Sequence, residues 1–181
     1  MPKGIRPTQQ KVRKAVFDIL GNVAGLSFLE LYAGSGAVGL EALSRGAAEV
    51  TLVESGRQSL KAIEMNIAAL GARGCCAHSL GAEQAIALFN PDKRKFDLIF
   101  LDPPYDKEAA APNLKGKVGV LLSSAKKTLQ TLSAYDILAP NGFIMVQHFK
   151  KDTLPDALGV FSLIRRYKYG STILSLYKKD V

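Results

Sequence analysis

Residues 26–39 read Leu26-Ser27-Phe28-Leu29-Glu30-Leu31-Tyr32-Ala33-Gly34-Ser35-Gly36-Ala37-Val38-Gly39, and the change of pattern inside them decides the fold. The run from Leu26 to Leu31 is short and mostly apolar, the signature of a strand buried on both faces. Gly34, Gly36 and Gly39 then spell G-x-G-x-x-G. Glycines in such a turn permit positive φ and let a ligand approach the backbone, while the helix that follows offers free N–H donors. Val38, Leu40, Ala42 and Leu43 mark that helix, which stops near Gly46. Strand, glycine turn and helix in this order make the first half of a nucleotide-binding unit. Glu54 closes the next strand at about the 20-residue offset where such units place an acid for the ribose hydroxyls.

Working outward, the alternation continues. Ahead of the turn, Val12, Ala15, Val16, Ile19 and Leu20 recur at helical spacing, and Thr8 is placed to cap that helix. After it come a strand over Glu49–Val53, a helix over Gln58–Leu70, a strand over Cys75–Ser79, a helix over Ala82–Phe89 and a strand over Phe96–Leu101. A long amphipathic helix is expected from Leu114 to Leu138, ended by Pro140-Asn141-Gly142. Three strands follow, Phe143–Phe149, Gly159–Tyr167 and Ser171–Tyr177, the last two joined by a turn at Tyr169-Gly170. The expectation is an α/β, doubly wound, Rossmann-like fold: seven strands, mostly parallel, with a C-terminal antiparallel hairpin. No repeat, linker or low-complexity tract interrupts the chain. It is read as one domain over 1–181, with a helical segment at 1–21 and the core at 22–181.

Composition narrows the function classes. Of 181 residues, 48% are apolar and 22% charged, a globular rather than a disordered balance. No apolar run approaches the ~18 residues of a membrane span, and Met1–Thr8 lacks a signal-peptide core, so a cytoplasmic protein without membrane contact is expected. Cys75 and Cys76 are adjacent, a spacing that gives neither a disulfide framework nor a zinc site. Buried or idle thiols and no metal are the expectation. The net charge is +8 and uneven, crowding both ends of the chain. Such patches attract polyanions through counterion release; Arg6, Lys11, Arg13, Arg165, Arg166 and Lys168 are the candidate RNA contacts. A solvated basic surface has the same composition.

Two motifs carry chemistry. Around the glycine turn, Glu30, Tyr32, Gly34, Ser35, Gly36, Glu54, Ser55, Ala82 and Thr8 are candidate cofactor contacts. Glu30, at the head of the turn, would repel a pyrophosphate and help to hold a cationic amino acid end. That favours S-adenosyl-L-methionine over a dinucleotide. Asp102-Pro103-Pro104-Tyr105 closes the fourth strand beside this turn. Two successive prolines make a rigid corner with unpaired carbonyls. The Asp102 carboxylate and the Pro103 carbonyl are two acceptors, and Tyr105 offers an aromatic face. Together they suit a planar base carrying an exocyclic NH₂. A base paired inside a helix cannot reach such a corner, so the target is looped, single-stranded or flipped out.

With these residues in hand, the sequence resembles the RsmD-type methyltransferases of bacterial 16S ribosomal RNA. The matching stretches are Arg6-Pro7-Thr8, Lys11 to Phe17, Leu29 to Ala47, Val53-Glu54, Phe96 to Tyr105 and the closing Tyr169–Tyr177. The resemblance implies a class I S-adenosylmethionine-dependent fold and the N2 amine of a guanine as acceptor. It also implies ribosomal RNA or the small ribosomal subunit as partner and an Arg6-Pro7-Thr8 segment bordering the cofactor's methionine end. A monomer is the expectation, though the sequence leaves the oligomeric state open. The chain departs from the family in three places. Only five residues precede Arg6, where the family usually has a basic β-hairpin. Gly81 stands where an Asp or Asn commonly bonds the cofactor's adenine, leaving backbone contacts near Ala82. The connection from Asp106 to Leu138 is longer than usual. Two other readings stay open at this level: an adenine-N6 DNA methyltransferase, since the corner suits any amino base, and an NAD-dependent dehydrogenase using His78 or His148. His148, closing the fifth strand, is expected at a solvated strand end.

Overall fold

A computed structural model describes residues 10–104 and 123–180. Within them the chain runs α1 (Gln10–Leu20), β1 (Ser27–Leu31), α2 (Ala37–Ser44), β2 (Glu49–Glu54), α3 (Arg57–Leu70), β3 (Cys75–Ser79), α4 (Ala82–Phe89), β4 (Phe96–Leu101), α5 (Ser124–Ala134), β5 (Leu138–Phe149), β6 (Ala157–Leu158), β7 (Phe161–Tyr169) and β8 (Thr172–Lys179). One sheet holds all the strands in the order β3-β2-β1-β4-β5-β8-β7-β6. β1 to β5 pair in parallel, and β8, β7 and β6 add an antiparallel edge. The sequence expectation of seven strands becomes eight. The addition is β6, whose two residues are too few to show any period.

The apolar runs are strands because side chains on both faces need cover. Leu29, Leu31, Val53, Ile99, Leu101, Ile144 and Val146 pack against α4 and α5. Their alternating neighbours Phe28, Val50, Leu52, Leu98, Phe100 and Met145 pack against α1, α2 and α3. The order reverses between β1 and β4, so the carboxyl ends of these two strands flank the crevice where doubly wound sheets bind ligands.

Three local expectations are corrected. The long helix expected from Leu114 is an 11-residue helix: Ser123 is extended, its Oγ accepts from the Lys126 N–H, and the chain is extended again at Tyr135. The earlier part of that expected helix lies outside the described residues. Pro140-Asn141-Gly142 does not stop a helix but sits inside β5, where the register against β4 jumps from Phe96↔Leu138 to Leu98↔Phe143. A bulge accommodates a proline because the local ladder bond is already missing. His148 is not at a solvated end; it is buried, and its Nε2 lies 2.8 Å from Ser175 Oγ. Of the two free thiols, Cys76 is exposed and Cys75 half-buried, on the edge strand β3.

Candidate active site

The glycine turn has the geometry its composition calls for. Gly34 and Gly36 hold φ of 58° and 73°. A Cβ on Gly36 would stand 2.8 Å from Leu52 Cδ1, and one on Gly39 2.5 Å from Leu52 Cδ2, so α2 lies flat on β2 only with glycine there. Tyr32 also has positive φ, 61°, which strains a residue with a Cβ. Its hydroxyl is 2.6 Å from Thr128 Oγ1, and Thr128 donates to Glu83 Oε1 at 2.9 Å. Since the Thr128 proton points to Glu83, Tyr32 donates to Thr128. The turn is thereby tied to α5 and α4.

Two carboxylates organise the turn. Glu54 Oε2 accepts from Gly34 N–H at 2.8 Å, and its Oε1 from Gly56 N–H at 2.7 Å. The carboxylate links the turns after β1 and β2, and each oxygen keeps a lone pair for a further donor. Glu30 lies beneath the turn rather than in the crevice: it is 3% exposed, and its Oε2 accepts from Gly39 N–H at 2.7 Å. Burial pushes its pKa up to about 8, opposed by the Gly39 bond and reinforced by the charges of Asp102 and Glu54. Three acids thus converge around one turn.

Residues without a motif complete the cradle. Asn66, on α3, donates through Nδ2 to Ser35 O at 3.0 Å and fixes the turn from the side. Nothing but its helical position, facing a turn far away in sequence, could have announced it. Ala82 opens α4 and is buried; the Gly81 N–H beside it donates to Gln84 Oε1 at 3.1 Å. Ser55 is exposed between β2 and α3.

On the other side of the crevice, the Asp102 N–H reaches Leu31 O at 3.5 Å, so the corner starts level with the glycine turn. Asp102 is half-buried, Pro103 buried and Pro104 exposed. Tyr105, Arg6 and Thr8 lie outside the described residues. Lys11 and Arg13 line a basic concavity of about 410 Å³ with Gln10, Lys14, Glu41 and Arg45. Arg165 stands 5.3 Å over the Tyr167 ring, and Lys168 is exposed. Arg166 is engaged elsewhere, paired with Asp156 at 2.8 Å and donating to Leu154 O at 2.6 Å. Of the two histidines, His78 packs edge-on to Phe89 at 5.4 Å, and His148 bonds Ser175. Among the described residues no cluster of His, Cys, Asp or Glu has the arrangement of a metal site, and no helix is long and apolar enough to cross a membrane.

A family model described as conserved hypothetical protein 95 matches residues 1–178. The chain belongs to this family. Its relatives include YlbH of Bacillus subtilis strain 168, 30% identical over 96% of this chain and 88% of that protein. Ribosomal RNA small subunit methyltransferase D of Escherichia coli K12 is 30% identical over 98% of this chain and 81% of its own length. The resemblance to RsmD-type proteins therefore extends over nearly the whole chain. Among solved structures, a hypothetical protein of Thermus thermophilus superposes with a TM-score of 0.78 at 28% identity, covering 100% of this chain and 91% of that one. The fold is that of the Rossmann-like methyltransferases, and within it the glycine turn and the Asp-Pro-Pro corner face each other across the strand-order reversal.

Proposed function

We propose that the protein transfers a methyl group from S-adenosyl-L-methionine to the exocyclic N2 amine of a guanine in small-subunit (16S) ribosomal RNA. The observation that carries this reading is the Asp102-Pro103-Pro104 corner held level with the glycine turn by Asp102 N–H and Leu31 O. The names of the relatives, ribosomal RNA small subunit methyltransferase D among them, support the substrate class.

The cradle suits this donor. Glycines at 34 and 36 leave the backbone open, and Glu54 has lone pairs to offer ribose hydroxyls. The carboxylates of Glu54 and Asp102, on the two sides of the crevice, disfavour a pyrophosphate and favour a ligand carrying positive charge, while Glu30 beneath the turn keeps its proton. When bound, the donor supplies a methyl already activated on a sulfonium.

The chain's own residues then position and polarise the acceptor. The Asp102 carboxylate and the Pro103 carbonyl accept the two hydrogens of the amine, drawing its lone pair out of ring conjugation and toward the methyl. Tyr105 stacks on the base, and the proton shed by the methylated nitrogen passes to Asp102. Proximity and preorganised electrostatics carry most of the rate. Lys11, Arg13, Arg165 and Lys168 serve the phosphate backbone.

The test is Asp102→Ala assayed on unmethylated small ribosomal subunits with radiolabelled donor. The expected kcat falls by about 10²–10³, the usual cost of an oriented electrostatic group, with cofactor affinity unchanged. Near-normal turnover would contradict the reading.

A further inference from the structure

One buried polar group among the described residues is not accounted for by the fold. Gln147 is 5% exposed, and its Oε1 has no hydrogen-bond partner. A buried acceptor left without a donor bears its whole desolvation penalty, so the fold alone has no use for it.

Its place in the sheet suggests what it is for. β4 pairs with β5 through Leu101↔Val146, and one further residue along that register sets Gln147 beside Asp102. Neighbouring strands lie about 4.8 Å apart. Side chains alternate along both strands: Phe100 and Met145 pack on the α1–α3 side, and Leu101 and Val146 on the other. Asp102 and Gln147 therefore stand side by side on the α1–α3 face, in the last row before the crevice. On its other flank Gln147 pairs with Leu174, which brings it no side-chain donor.

We infer that Gln147 is a specificity-determining residue whose Oε1 accepts the ring N1–H of the target guanine. This rests on the proposed function and deepens it. Guanine presents two adjacent donors on one edge, the N1–H and the N2 amine. Adenine presents its amine beside an N1 lone pair. A row of acceptors made by Asp102 and Gln147 matches the first pattern and opposes the second. The missing partner of Oε1 is then the substrate, and the desolvation penalty is recovered only when a guanine enters.

The experiment compares the wild type with Gln147→Leu. Methyl transfer is measured on unmethylated small subunits and on subunits reconstituted with 2-aminopurine at the methylated position, a base that keeps the amine and lacks the N1–H. On guanine the variant is expected to lose about 10- to 100-fold in kcat/KM. Cofactor affinity stays within about twofold, and Tm is unchanged or higher because the orphaned acceptor is gone. On 2-aminopurine the wild type falls by a similar factor and the variant falls no further, the coupling expected of a direct contact. A variant with wild-type kcat/KM overturns the inference, as do losses that simply multiply. A Tm lowered by more than about 5 °C together with activity would assign Gln147 to packing instead. If the wild type transfers no methyl to guanine, the proposed function itself is refuted, an outcome separate from any behaviour of the variant.

Discussion

Replacing Glu30 by glutamine tests the electrostatics beneath the glycine turn. The amide keeps an oxygen to accept the Gly39 N–H and removes only the ability to ionise. In the folded protein Glu30 holds its proton up to about pH 8, against 4.5 for an ordinary glutamate. The native state therefore binds more protons than the unfolded chain between these values, and stability declines as pH rises through that window, levelling off above it. Between pH 6 and pH 9 the wild type is expected to lose roughly 3 kcal/mol at this site, because most of the interval lies below the folded pKa. Glu30→Gln lacks this loss. Spread over the unfolding entropy of a chain this size, the difference corresponds to about 7 °C in Tm. Thermal unfolding of both proteins across that range, followed by circular dichroism, should show curves that separate progressively, the variant melting higher at alkaline pH. Parallel curves would refute the reasoning, since they would mean that Glu30 is ionised in the folded state throughout.

The remaining expectations concern ligands. Glu54→Ala removes the acceptor of both Gly34 N–H and Gly56 N–H, and should weaken S-adenosylmethionine binding by about 1–3 kcal/mol in calorimetry. Unchanged affinity would remove Glu54 from the site. RNA affinity should fall steeply with salt, and Lys11→Ala and Arg13→Ala should each lower the slope of log K against log salt by about 1. Arg166→Ala should behave differently, since its guanidinium is committed to Asp156 and Leu154. It should lower stability in urea titrations while leaving that slope in place.

The sequence announces those parts of the molecule whose physics is local. β3, α4 and β4 begin and end at the expected residues, because continuous apolar runs and the glycines between them mark both the period and its interruption. The glycine turn and Glu54 are legible for the same reason: a steric requirement and a fixed offset select the residue types. What escapes depends on contacts distant in sequence. Pro140-Asn141-Gly142 looks like a helix stop until β4 lies beside it and turns it into a bulge. His148 looks like a strand end until β8 covers it with Ser175. Glu30, by its position in the sequence, should face the cofactor; the return of α2 across β1 instead buries it under Gly39. Asn66, Thr128 and Glu83 carry no pattern of their own, and only the assembled helices bring them to the turn.

The function proposed above sets a guanine amine against an activated methyl at the Asp102 corner. Mass mapping of nucleosides from unmethylated small subunits, after incubation with the protein and isotope-labelled S-adenosylmethionine, tests that most directly. N2-methylguanosine at a single position in 16S RNA is the expected product. Label appearing instead on adenine N6, or on no nucleoside of the particle, would contradict it.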